Sequence, residues 1–165
     1  MINNNLEMAL FMAIREAKKR KHEHVTVEHI LYALLHEEMA TAIISECGGN
    51  TDNLKNKLQS FFNNNMTSVK QEMAEDPVQT IGFNRVLQRA ISHVQSCGKK
   101  EVDSADVLVS IFAEPESYAV YFLKSEGLRR LTVVEHISSE YPSPGIGIGE
   151  AQDDHCFRDG DQQDN

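Results

Sequence analysis

His24-Val25-Thr26-Val27-Glu28-His29-Ile30-Leu31-Tyr32-Ala33-Leu34-Leu35 decides the fold. Thr26 is suited to cap a helix, because its hydroxyl can take a first-turn amide that lacks an intrahelical partner. Val25 before the cap and Ile30 four residues after it form a hydrophobic staple. Ile30, Leu31, Leu34 and Leu35 then place apolar groups at the spacing of a buried helical face.

The same pattern returns 77 residues later as Glu101-Val102-Asp103-Ser104-Ala105-Asp106-Val107-Leu108-Val109-Ser110-Ile111-Phe112. Val25 falls on Val102, Thr26 on Asp103, and Leu34-Leu35 on Ile111-Phe112. Upstream, Leu6, Leu10, Ala13, Ile14 and Ala17 fall on Phe83, Leu87, Ala90, Ile91 and Val94 at the same offset. Downstream the offset becomes 79, as if Ala113–Tyr118 had gained two residues; Ile43-Ile44 then meet Phe122-Leu123, and Gly48 meets Gly127. Two copies are too few for a solenoid. They fit a unit folded back to back about a pseudo-two-fold axis.

The spacing predicts helices over 3–20, 27–37, 39–47 and 52–63, then 82–97, 104–113, 117–126 and 132–140. Thr51 or Asp52 is the expected cap of the fourth helix and Thr132 of the last. No segment alternates apolar and polar residues as a strand does. The fold class is therefore all-α, a pseudo-two-fold duplication of a four-helix repeat. Repeat one spans 1–63, a connector 64–79 and repeat two 80–141, followed by a tail at 142–165 expected to be a disordered acidic linker.

Composition narrows the function classes. Apolar residues make up 41% of the 165-residue chain and charged residues 25%, which suits a soluble globular domain. No apolar run spans a membrane, and Met1–Glu7 lacks the basic and apolar parts of a signal peptide, so a cytoplasmic protein is expected. Of the net charge of −9, the residues from Pro142 onward carry −5. The remainder shows no basic face for nucleic acid. Cys47, Cys97 and Cys156 form no CxxC pair, and the first two are expected to be reduced.

A search for chemistry finds little. No phosphate loop precedes a Lys-Ser or Lys-Thr pair, and no serine sits in a GxSxG turn. His22 and His24 flank Glu23 and could share a zinc, which would be the seed of a metal-dependent hydrolase. The plainer reading is an exposed polar turn, with His29 in the first turn of the capped helix. Glu37-Glu38 and Arg129-Arg130 read as solvated surface. Lys18, Lys19, Arg20 and Lys21 read as cations at a helix carboxyl end rather than a lipid patch. Met8, Phe11, Met12 and Met39 read as core, with an adaptable peptide groove as the alternative. Nothing points to an enzyme.

The duplicated stretch, with Leu6-Glu7, Ala13, Ala17 and His22-Glu23 ahead of it, resembles the amino-terminal domain of Clp/Hsp100 ATPases. Phe83, Arg85-Val86-Leu87-Gln88-Arg89-Ala90 and His93-Val94-Gln95-Ser96 look like its ClpA branch. The resemblance covers residues 1–140. It implies a domain that docks the adaptor ClpS and protein substrates on an unfoldase subunit feeding the ClpP protease. ATP and magnesium would belong to ATPase modules outside this chain, and the chain itself would hold no cofactor. An isolated monomer is implied, with no nucleic-acid or membrane partner. Adaptor contacts of the family fall on Glu23, Glu28, Thr80 and Arg85, exposed charges and a cap that suit a polar interface. Ordinary surface charge is the other reading of each. Asn63 stands where a relative would offer an acid, so no metal contact carries over. The competing function is a free-standing protein that sequesters an adaptor without any ATPase.

Overall fold

A computed structural model describes residues 2–66 and 76–140. The first repeat is α1 (Asn4–Lys19), α2 (Val27–Leu34), α3 (Glu38–Glu46) and α4 (Thr51–Asn64), with the two-residue β1 (His24–Val25) ahead of α2. The second opens on β2 (Val78–Gln79) and continues through α5 (Ile81–Cys97), α6 (Ser104–Ile111), α7 (Tyr118–Ser125) and α8 (Arg130–Glu140). Helix order is the same in both halves. The connector residues 67–75 and the tail from 141 lie outside the described residues.

The stretch that repeats in sequence is the centre of the molecule. Every residue of α2 and every residue of α6 is buried. They pack on each other, and each also packs on the third helix of the opposite repeat, α2 on α7 and α6 on α3. The fourth helices follow the same exchange, α4 against α7 and α8 against α3. The apolar stripes read from sequence supply the surfaces: Leu6, Ala13 and Ala17 on α1, and Phe83, Val86, Ala90 and Val94 on α5, are fully or almost fully buried.

The halves also trade backbone hydrogen bonds. β1 pairs in parallel with β2, His24 opposite Val78 and Val25 opposite Gln79. Ile2 forms the matching parallel bridge to Val102. In one arm the Thr80 amide donates to the Val25 carbonyl at 3.1 Å; in the other the Asn3 amide donates to the Val102 carbonyl at 2.9 Å. Each first helix is thus tied at its cap to the other repeat. These short ladders are the only strand structure among the described residues and do not alter the all-α class.

Local details differ from the sequence reading where side chains compete for one cap. Asn50, not Thr51 or Asp52, caps α4, its Oδ1 taking the Asn53 amide at 3.0 Å. Thr132 lies inside α8, which begins at Arg130. Glu37 is not solvated: it is buried and caps α3, accepting the Ala40 amide at 2.9 Å and the Met39 amide at 3.1 Å. Gly48 and Gly127 end equivalent helices with φ of +94° and +83°, a left-handed turn that glycine takes without strain. Cys47 is a free thiol and Cys97 is disulfide-bonded, so the expectation of reduced thiols holds only for Cys47.

Candidate functional site

Three of the four residues singled out for docking, Glu23, Thr80 and Arg85, gather where β1, β2 and the first turns of α5 meet. The Val78 amide donates to the Glu23 carbonyl at 2.9 Å, which sets Glu23 beside the start of repeat two. Thr80 caps α5, its hydroxyl accepting the Phe83 amide at 3.2 Å. Arg85 lies one turn beyond Ile81 on the same exposed face. Glu23 and Arg85 are exposed and Thr80 is half-buried.

Two apolar residues complete this face. Val78 is 63% exposed and Ile81 76%. Ile81 falls off the Phe83–Val86–Ala90–Val94 stripe, roughly 200° from Phe83 around the helix. An apolar residue out of phase with its own core stripe was the signal that would have found it. Gly82 lets α5 come down on α2, since a Cβ there would stand 3.2 Å from Val27 Cγ2.

Glu28 does not belong to the exposed face. It is only 7% exposed, and its Oε2 accepts the Ala119 amide at 3.0 Å. A carboxylate from the first turn of α2 thus satisfies the amino end of α7 in the other repeat. No residue near Glu28 in sequence signals this burial, because its partner lies 91 residues away.

Arg85 is not an unpaired charge either. Its Nε donates to Glu114 Oε2 at 2.9 Å and its Nη2 to the other carboxylate oxygen, while Arg89 Nη1 lies 3.3 Å from Oε2. The hydrogen bond from Arg85 holds the Glu114 carboxyl below the usual range despite its burial.

A second candidate lies on α1. Met8 is 70% exposed and Phe11 63%, and Met12 and Met39 are half-buried, so the core reading fails for the first two. Met8, Phe11, Met12 and Ile14, with Arg15, line an open cavity of about 730 Å³ reaching Glu37 and Glu38. Lys18 at its edge meets Asp76 at 3.2 Å.

The histidines are divided. His24 is exposed on β1, but His22 and His29 are buried, against the expected polar turn. The Thr26 amide donates to His29 Nδ1 at 3.0 Å. A neutral His29 therefore carries its proton on Nε2, which faces His22 Nδ1 at 3.0 Å. Phe62 stacks on His29 at 4.5 Å between centroids, and Arg20 lies over Phe62 at 5.0 Å. Burial, then His22 and Arg20, pushes His29 down to about 3; burial and Arg20 also lower His22. Among the described residues no three potential metal ligands are gathered.

The equivalent positions of repeat two use other chemistry. Lys99, Asp103 and Asp106 stand where His22, Thr26 and His29 stand. The Asp103 amide donates to Asp106 Oδ2 at 2.9 Å, as Thr26 does to His29, and Lys99 Nζ reaches the same oxygen at 2.9 Å. Burial works against the Lys99 charge, but Asp106 and Asp103 raise its pKa on balance.

Comparison with known proteins gives one family. Residues 1–126 match the model of the Clp repeat (R) N-terminal domain. A ClpA homolog protein of Fuscovulum blasticum is 40% identical over 137 residues, covering 82% of this chain. The chain spans 17% of that relative's length. The Hsp104 N-terminal domain of Candida albicans superposes with a TM-score of 0.72 at 14% identity, over 85% of this chain and 91% of that one. A ClpV N-domain in complex with VipB peptide gives a TM-score of 0.65 at 21% identity, over 83% of this chain and 84% of the other.

Proposed function

We propose a function from one premise: the chain belongs to the Clp repeat (R) N-terminal domain family. It is a non-catalytic docking domain of a ClpA-type unfoldase subunit. It binds a ClpS-type adaptor, helps admit protein substrates, and acts with ClpP through the hexamer of its parent. It works in the cytoplasm as a monomeric module, and the ATP-hydrolysing steps belong to other parts of the parent.

The observation that carries this reading is the face around β2. Val78 and Ile81 are left in water beside Glu23, Thr80 and Arg85. Exposed aliphatics rimmed by oriented polar groups are the usual anatomy of a modest protein interface. The test is calorimetric titration of a ClpS adaptor into the wild type, Ile81→Asp and Glu23→Arg. Both substitutions are at exposed positions and should leave thermal stability unchanged. Each should weaken binding by about tenfold or more. Wild-type affinity in both variants would refute the assignment of this face.

The α1 cavity supports a second docking role. Met8 and Phe11 offer adaptable apolar area to an extended or helical substrate segment. The likeness to a ClpV N-domain that takes a VipB peptide is consistent with protein segments as ligands.

A further inference from the structure

Arg85, Arg89 and Glu114 stand where repeat one has Met8, Met12 and Glu37. Arg85 on the docking face and Met8 in the α1 cavity are thus equivalent positions on two copies of one unit, with different side chains around them. The difference begins in the loop after the second helix. Glu37 follows α2 and also caps α3, so its carboxylate is spent on the Met39 and Ala40 amides. In repeat two the extra residues of Ala113–Tyr118 split these duties. Ser117 caps α7, taking the Val120 amide at 3.2 Å and donating to the Glu114 carbonyl at 2.7 Å. The Glu114 carboxylate is released from capping and turns to α5.

We propose that Glu114 is a positioning residue that converts Arg85 from a mobile cation into an oriented hydrogen-bond donor for the docked adaptor. The proposal rests on reading this face as the adaptor site. Glu114 is itself almost buried, so it can act on a partner only through the arginine. The two-point contact claims the Nε hydrogen and one Nη2 hydrogen, and fixes the guanidinium plane. Three N–H groups are left unclaimed by Glu114, whose carboxylate offsets one of the two arginine charges that share it. Arg89 braces the same carboxylate and the Ser110 carbonyl, at 3.3 and 3.4 Å. A group held this way selects for the direction of an acceptor, such as a main-chain or amide oxygen, more than for opposite charge. Lysine cannot reproduce the planar fork.

The test compares the wild type with Arg85→Ala, Arg85→Lys, Glu114→Gln and the Glu114→Gln/Arg85→Ala double variant. Affinity for a ClpS adaptor is measured by calorimetry. The Arg85 Nε–H signal is followed separately by ¹⁵N NMR without any partner. Arg85→Ala, Arg85→Lys and Glu114→Gln should each weaken binding by about tenfold, and the double variant no further than either single change. The Nε–H signal should be sharp and slowly exchanging in the wild type and broadened away in Glu114→Gln. Arg85→Lys binding like the wild type, additive losses in the double variant, or an unchanged Nε–H signal would each overturn the proposal. If the wild type fails to bind the adaptor, the docking reading falls instead, and the NMR readout still decides whether Glu114 holds Arg85.

Discussion

The buried His22–His29 pair makes repeat one sensitive to acid in a calculable way. In the unfolded chain each imidazole takes a proton near pH 6.5. In the fold His29 resists protonation down to about 3, because burial, the neighbouring His22 and Arg20 all disfavour its charge. The folded state therefore binds fewer protons between these values. The stabilising effect is fully present above pH 6.5 and is lost as pH falls from there toward 3. At pH 5 the loss from His29 alone is about 2 kcal/mol, from 1.5 units at about 1.36 kcal/mol each. For a domain of this size that is a fall in Tm of roughly 6–10 °C. His22, also lowered, acts in the same direction. Asp106 acts in the opposite direction, since burial and then Asp103 push its carboxyl up against the pull of Lys99. The control that isolates the histidine is His29→Gln. Glutamine at this position can accept the Thr26 amide and donate to His22 Nδ1, but does not titrate. Urea denaturation followed by circular dichroism at pH 7.5 and pH 5 gives the stability of both proteins. The loss between the two pH values should be about 2 kcal/mol larger in the wild type than in His29→Gln. Asp106 is present in both and cancels in the difference. Equal losses would show that His29 is not a buried neutral imidazole and would undo the hydrogen-bond chain built on it.

Other substitutions test the links between repeats and their helix ends. Glu28→Ala leaves the Ala119 amide buried without its carboxylate, and should reduce unfolding free energy by about 2 kcal/mol; unchanged urea stability would place Glu28 back on the surface. Gly127→Ala places a Cβ at φ +83°, with nothing within 4 Å for it to strike. It should destabilise by about 1 kcal/mol through backbone conformation alone, which thermal unfolding would detect.

The apolar skeleton was legible because both copies must fill the same core. Pairs such as Leu34 with Ile111 and Ile43 with Phe122 stay apolar, so the offset and its change by two residues show directly. Helix number, order and the pseudo-two-fold arrangement follow from that. Polar residues inside the fold obey a different rule, which is that each must find a partner, and partners can change as a set. His22, Thr26 and His29 became Lys99, Asp103 and Asp106, keeping the bond from the cap amide while exchanging two neutral rings for an ion pair. A single position compared across the copies shows His against Asp, which looks like unconstrained surface. The three together keep one geometry. Glu28 was misplaced for a related reason: its apolar neighbours in sequence are core, while its partner amide belongs to the other repeat. The docking face combines both effects. Thr80 is held by the Val25 carbonyl across the repeat boundary, and Arg85 by a carboxylate that the two-residue insertion set loose. Duplication supplied equivalent positions at Met8 and Arg85, and that insertion gives a physical reason why the first is an exposed apolar side chain at a cavity and the second an oriented ion pair.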